Sequence, residues 1–156
     1  MKVIGIDPGS GIIGFGLIEQ SSKPKLIDAG IIRTTIGDDP ASRLVELYES
    51  LKELITEFKP DVASVEKLFF AQNVTTAMNV SQARGVILLA LAEAGLPIYE
   101  YTPLQIKMAM TGYGRATKAQ IQEMVRVQLG LKKKPSPDDA ADALAVALTH
   151  LSTRSN

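Results

Sequence analysis

Three groups of acidic residues sit where charge is expensive. Asp7 ends the apolar run Val3-Ile4-Gly5-Ile6, and Glu66 follows Val62-Ala63-Ser64-Val65. Asp138, Asp139 and Asp142 open a stretch that continues Ala143-Leu144-Ala145-Val146-Ala147-Leu148. A carboxylate in apolar surroundings needs a partner, a proton or a metal. If the three groups converge they repel one another, and a pair of divalent cations would offset that repulsion. Ligands that are all oxygen suit Mg²⁺ or Mn²⁺. Two such ions roughly 3.5–4 Å apart activate a water and stabilise the leaving oxygen in phosphodiester hydrolysis. The chemistry these residues point to is metal-assisted phosphodiester cleavage with no covalent enzyme intermediate.

Each acid also has a plainer reading. Asp138 and Asp139 are residues that a helix N-terminus favours in any protein. Asp7 precedes a Pro-Gly turn. Glu66 would be unremarkable on an edge strand facing water. The conjunction of all of them favours a shared site.

The elements that must position these acids follow from periodicity. Lys2 to Ile6 reads as a buried strand ending in the turn cluster Asp7-Pro8-Gly9-Ser10-Gly11. Ile12 to Ile18 and Lys25 to Arg33 read as the next two strands of an antiparallel meander. Leu44, Leu47, Tyr48, Leu51, Leu54, Ile55 and Phe58 then recur at helical spacing, behind an Asp39 cap and Pro40. Asp61 to Leu68 reads as a strand, Val74 to Ala94 as a helix closed by Gly95, and Pro97 to Tyr101 as a fifth strand. Thr102-Pro103 opens a short helix, and Thr117 with Gln120 forms a capping box for a helix ending at Gly130. Ser136 is expected to cap the last helix, with Pro137 at its first position. His150 near that helix's end is expected to compensate its dipole. The order predicts an α/β fold, a mixed five-stranded sheet whose first three strands are antiparallel, with helices on both faces. Asp7 and Glu66 would then lie at the C-terminal ends of two buried strands, where open α/β sheets place their sites. In the last helix Asp139 shares a face with Asp142, and so does Asp138, so spacing leaves either one available.

A length of 156 residues fits one domain, taken as 1–156. With no cysteine the chain has no disulfide, thiolate catalysis or Cys-ligated zinc. No apolar run of about 18 residues is evident, the longest candidate being Val86 to Ala92, and the N-terminus lacks the features of a secretory signal. A cytoplasmic protein without a membrane partner is expected. Lys plus Arg and Asp plus Glu both number 17, which argues against a nonspecific nucleic-acid coat but not against a nuclease.

Four segments in order carry a resemblance: Gly5-Ile6-Asp7-Pro8-Gly9-Ser10, Val65-Glu66 followed by Phe69, Ser81-Gln82-Ala83-Arg84-Gly85, and Asp139-Ala140-Ala141-Asp142-Ala143-Leu144-Ala145. Together they resemble the bacterial RuvC family of Holliday junction resolvases over essentially the whole chain. The resemblance implies a ribonuclease H-like fold, a homodimer and a branch-migration helicase complex as partner. It implies Mg²⁺-dependent nicking of two symmetry-related strands of four-way junction DNA, in recombination and repair. It places the metal-binding acids at Asp7, Glu66, Asp139 and Asp142, choosing Asp139 over Asp138 by the Asp-Ala-Ala-Asp spacing.

A junction nuclease must also hold phosphates. Lys107, Arg115, Lys118 and Lys132-Lys133-Lys134 cluster before the acidic helix, and the resemblance favours Lys107 and Lys118. Arg84 is a further DNA candidate that could instead serve the fold or the dimer. Phe69 could stack on an unpaired base at the junction centre. Two rivals share the acids or the turn. One is a ribonuclease H-like nuclease acting on RNA or other DNA structures. The other is the phosphate-binding domain of sugar kinases and actin, which generally needs a second such domain.

Overall fold

Val3 and Gly5 point to one side of their strand and Ile4 and Ile6 to the other, and both sides are covered. That strand, β1 (Lys2–Asp7), is the middle of a five-stranded sheet. The structure is a computed structural model that describes residues 1–68 and 73–154. The other strands are β2 (Ile12–Glu19), β3 (Lys25–Arg33), β4 (Val62–Glu66) and β5 (Ile98–Tyr101), in the order β3-β2-β1-β4-β5. β1, β2 and β3 pair antiparallel, whereas β1–β4 and β4–β5 are parallel. This is the mixed sheet expected, with β4 ending at Glu66 rather than Leu68.

Helices α1 (Pro40–Phe58) and α2 (Val74–Glu93) cover one face through Leu47, Leu51, Ala83, Ile87 and Leu91. Helices α3 (Pro103–Thr111), α4 (Lys118–Gln128) and α5 (Asp138–Arg154) cover the other. The caps follow local chemistry. Asp39 accepts from the Ser42 amide at 3.0 Å, and Thr102–Gln105 and Thr117–Gln120 both form reciprocal capping boxes.

Three expectations need correction. The first carbonyl of the α5 ladder belongs to Pro137, which accepts from the Ala141 amide at 3.3 Å. The helix proper therefore starts at Asp138, with Pro137 at its cap position and Ser136 outside it. His150 is not a surface residue near a helix end but is buried, hydrogen-bonded through Nδ1 to the Tyr101 hydroxyl at 2.9 Å. Burial, and then the Arg154 charge, lower its pKa, so it is held neutral where dipole compensation would need a cation. Finally, α2 is long and apolar enough by length and composition to cross a membrane. It packs on the sheet through one face, while Val74, Met78 and Leu89 on its other face are exposed.

A candidate metal centre at two strand ends

The β1–β4 register pairs Ile6 with Val65, so the next position on each strand sets Asp7 beside Glu66. Alternation along β1 turns Val3, Gly5 and Asp7 towards α5. On β4 the same alternation turns Val62, Ser64 and Glu66 that way, and the buried Ser64 hydroxyl donates to the Val146 carbonyl of α5 at 2.8 Å. The two carboxyls are hydrogen-bonded to each other.

Glycines decide how close α5 comes. A Cβ on Gly5 would stand 2.1 Å from the Ala143 carbonyl oxygen, and one on Gly14 would stand 2.0 Å from that of Asp139. Neither side chain could fit, so the helix backbone lies directly on β1 and β2. That approach carries the first turns of α5 over the ends of β1 and β4. Asp7, Asp139 and Asp142 each present an oxygen within 4.8 Å of the others.

The electrostatics match a site built for a cation. Asp7 is pushed up to about 9, first by burial, then by its hydrogen bond to Glu66, then by the charges of Glu66, Asp142 and Asp139. Burial also raises Glu66 and Asp142, while Lys118 pulls both down. At neutral pH the Asp7–Glu66 pair therefore keeps a proton between its two carboxyls. Asp7, Glu66 and Asp142 cannot all ionise unaided, and with Asp139 their oxygens form the hard donor set that divalent cations of the Mg²⁺ type prefer.

Asp138 is turned away. It is exposed, its carboxylate accepts from Gln122 Nε2 at 3.1 Å on α4, and it lies outside the group of oxygens above. Asp139 is the neighbour that joins Asp7 and Asp142.

Lys107 and Lys118 line a cleft of about 250 Å³ with Glu66, Asp142, Pro103 and Ile106. Lys118 Nζ lies 3.1 Å from Asp142 and 4.0 Å from Asp138. Arg115 is exposed on the α3–α4 loop and does not line this cleft. Arg84 is committed internally, donating to the Glu66 carbonyl at 2.7 Å and pairing with Glu100. It braces the end of β4 and so orients Glu66. Phe69 lies outside the described residues. Sequence reasoning missed Ser64, Gly5 and Gly14. Their signal was three glycines at alternate positions, Gly5 on one strand and Gly14 and Gly16 on the next, which mark a face left bare for close packing.

Comparison with known proteins identifies relatives across nearly the whole chain. The family model for crossover junction endodeoxyribonuclease RuvC matches residues 3–150. The RuvC endonuclease of Moorella thermoacetica is 52% identical over 153 residues, covering 97% of this chain and 92% of the relative. That of Petrotoga mobilis is 54% identical over 151 residues, covering 96% and 93%. The solved structure of Thermus thermophilus RuvC in complex with Holliday junction substrate superposes with a TM-score of 0.91 at 34% identity, covering 99% of this chain and 96% of that one. The yeast mitochondrial Holliday junction resolvase Ydc2, at 16% identity and TM-score 0.70, shares the fold.

Proposed function

The chain belongs to the RuvC family of crossover junction endodeoxyribonucleases, and from that membership we infer that it is a structure-selective endonuclease resolving four-way DNA junctions. The single observation that carries the reading to this chain's own residues is the meeting of Asp7, Asp139 and Asp142 oxygens within 4.8 Å, beside Glu66. Asp7, Glu66, Asp139 and Asp142 would hold Mg²⁺, with Mn²⁺ as substitute and two ions per site. Bound there, the metal would polarise the scissile phosphate and lower the pKa of the attacking water.

The chain's residues do the rest. The Asp7–Glu66 pair must shed its shared proton before all four carboxylates can act as ligands, so metal affinity rises with pH. Lys107 and Lys118 set positive charge in the cleft beside Glu66 and Asp142, where a substrate phosphate would lie. Arg84 is a positioning residue through Glu66, and Arg115 supplies an outlying phosphate contact. Phe69, three residues beyond Glu66, is assigned to stacking on an unpaired base.

A homodimer suits a two-fold junction, because two equal sites reach two equivalent strands. The exposed Val74, Met78 and Leu89 of α2 offer an apolar surface for it. A branch-migration helicase complex as partner and a cytoplasmic location complete the reading.

Nicking of a labelled four-way junction with Mg²⁺, Mn²⁺, Ca²⁺ or EDTA, alongside linear duplex and structured RNA, tests it. Junction-selective, metal-dependent cutting that Asp7→Asn abolishes is the expected result. Cutting in EDTA would overturn the metal assignment. Preference for RNA or linear DNA would favour the broader ribonuclease H-like alternative.

A further inference from the structure

A second basic group lies near the carboxylates, on elements that carry no recognised motif. Arg43 stands in the first turn of α1, half-buried, and its Nε donates to the Thr34 hydroxyl at 3.0 Å. Thr34 is itself buried, and its amide donates to the Gly11 carbonyl at 3.1 Å. The guanidinium is thereby aligned on the loop that leaves Asp7. Gly11 makes the room: a Cβ there would stand 2.7 Å from Arg43 Nη2. Among the described residues no carboxylate lies within 4.0 Å of Arg43, and neither Nη group has an acceptor. A guanidinium held at one nitrogen presents its remaining donors as a fork for a planar or tetrahedral anion.

The cleft it faces has a volume of about 390 Å³ and is lined by Ser10, Gly11, Arg33, Thr34, Arg43 and Asp139, among others. Asp139 belongs to the carboxylate group, so this cleft opens onto the candidate metal centre. Lys107 and Lys118 share their cleft with Glu66 and Asp142 instead. The acids thus lie between two basic clefts, one formed with residues of β3 and α1, the other with α3 and α4.

We propose that Arg43, aligned by Thr34 and completed by Arg33 and Ser10, is a phosphate-binding subsite that grips the substrate backbone on the β3 side of the carboxylates. It rests on the nuclease reading above and extends it to how the strand is held. A strand gripped on both flanks crosses the acids in one direction, and the scissile phosphate is fixed between two anchors. Arg43 acts by positioning, since it touches none of the carboxylates.

The test measures junction affinity of the full-length protein in EDTA across a salt series, and nicking separately in Mg²⁺. Loss of one phosphate contact reduces the slope of log K against log salt by about 0.9. Arg43→Gln should show that reduction and weaken binding roughly tenfold at moderate salt. Arg43→Lys should restore the slope but not full nicking, because a point charge lacks the aligned fork. Gly11→Ala keeps the charge, displaces only the end of the Arg43 side chain, and should weaken binding without lowering the melting temperature. An Arg43→Gln protein with wild-type affinity and slope overturns the subsite, and so does one that nicks poorly with an unchanged slope. A wild type that binds neither junction nor duplex defeats the nuclease reading, and the subsite with it.

Discussion

Gly14 lies opposite Asp7 in the β1–β2 ladder and directly beneath the Asp139 carbonyl, where a Cβ would stand 2.0 Å from the oxygen. One position without a side chain thus couples an acid of the sheet to an acid of the helix. The separation of the candidate ligands is set by backbone contact between β2 and α5, with no adjustable side chain between.

Gly14→Ala is therefore expected to lift the first turn of α5 and open the carboxylate group. Misplacing catalytic groups by about 1 Å costs roughly 10²-fold in rate. Overpacking against backbone destabilises by about 1–3 kcal/mol. Nicking rate and thermal melting, measured together, should show a larger loss in the first than the second. A fully active Gly14→Ala protein would mean that α5 does not need this contact.

Asp139 and Asp138 should separate cleanly. Asp139→Asn removes an oxygen from the group and should lower metal-supported nicking at least about 10²-fold, the scale of losing one preorganised electrostatic stabiliser. Asp138→Asn removes a contact to half-buried Gln122 and a 4.0 Å approach to Lys118, both made by an exposed side chain, and should stay within about twofold, as surface changes do. Comparable losses in both, or the reverse order, would move the ligand to Asp138.

Much of this arrangement is legible in the chain. Asp7 and Glu66 betray themselves because each ends an apolar run, and the strand count follows from turn residues between such runs. The choice between Asp138 and Asp139 is not legible from spacing, since both share a helix face with Asp142. It depends on how far α5 is rotated, which bare backbone at Gly5 and Gly14 and the Ser64–Val146 hydrogen bond determine. Arg43 is silent for a similar reason. Its neighbours Gly11 and Asp139 lie far from it in sequence, and only the β2–β3 pairing and α5 docking bring them together with Thr34, nine residues away. His150 reads as a polar helix-end residue because nothing local announces that Tyr99 and Tyr101 of β5 enclose it.

Metal-free stability should report the strain among the acids. Asp7 is raised to about 9, so as pH climbs from the ordinary carboxylate range the unfolded chain ionises while the fold keeps its proton. The unfolded state then binds fewer protons than the folded state, and stability falls with rising pH across that window. Asp7→Asn removes this slope and retains a donor towards Glu66. In EDTA at pH 8 it should be more stable than wild type by on the order of 1–3 kcal/mol, the range for relieving uncompensated buried charge. Chemical denaturation with and without EDTA checks it. Equal or lower stability of the variant in EDTA would contradict the repulsion.

The opposite pH trend should appear at His150. Burial first, then Arg154, depress its pKa below 6.5. The Tyr99 ring packs on it with centroids 4.7 Å apart, and Arg154 lies over that ring at 4.1 Å, so a charged imidazole would meet a cation, and among the described residues no carboxylate pairs with it. Below pH 6.5 the unfolded chain takes a proton that the folded one refuses. The stability contributed by this group is thus complete above 6.5 and declines as pH falls towards the folded-state value. His150→Gln removes the titration while keeping a polar group near Tyr101. Its denaturation midpoint is expected to be lower throughout, but between pH 7.5 and 5.5 it should lose less stability than wild type. The slopes, not the absolute stabilities, carry the prediction, because the carboxylate group contributes equally to both proteins. Parallel curves would show that His150 titrates in the fold as it does in the unfolded chain, and the burial argument would fail.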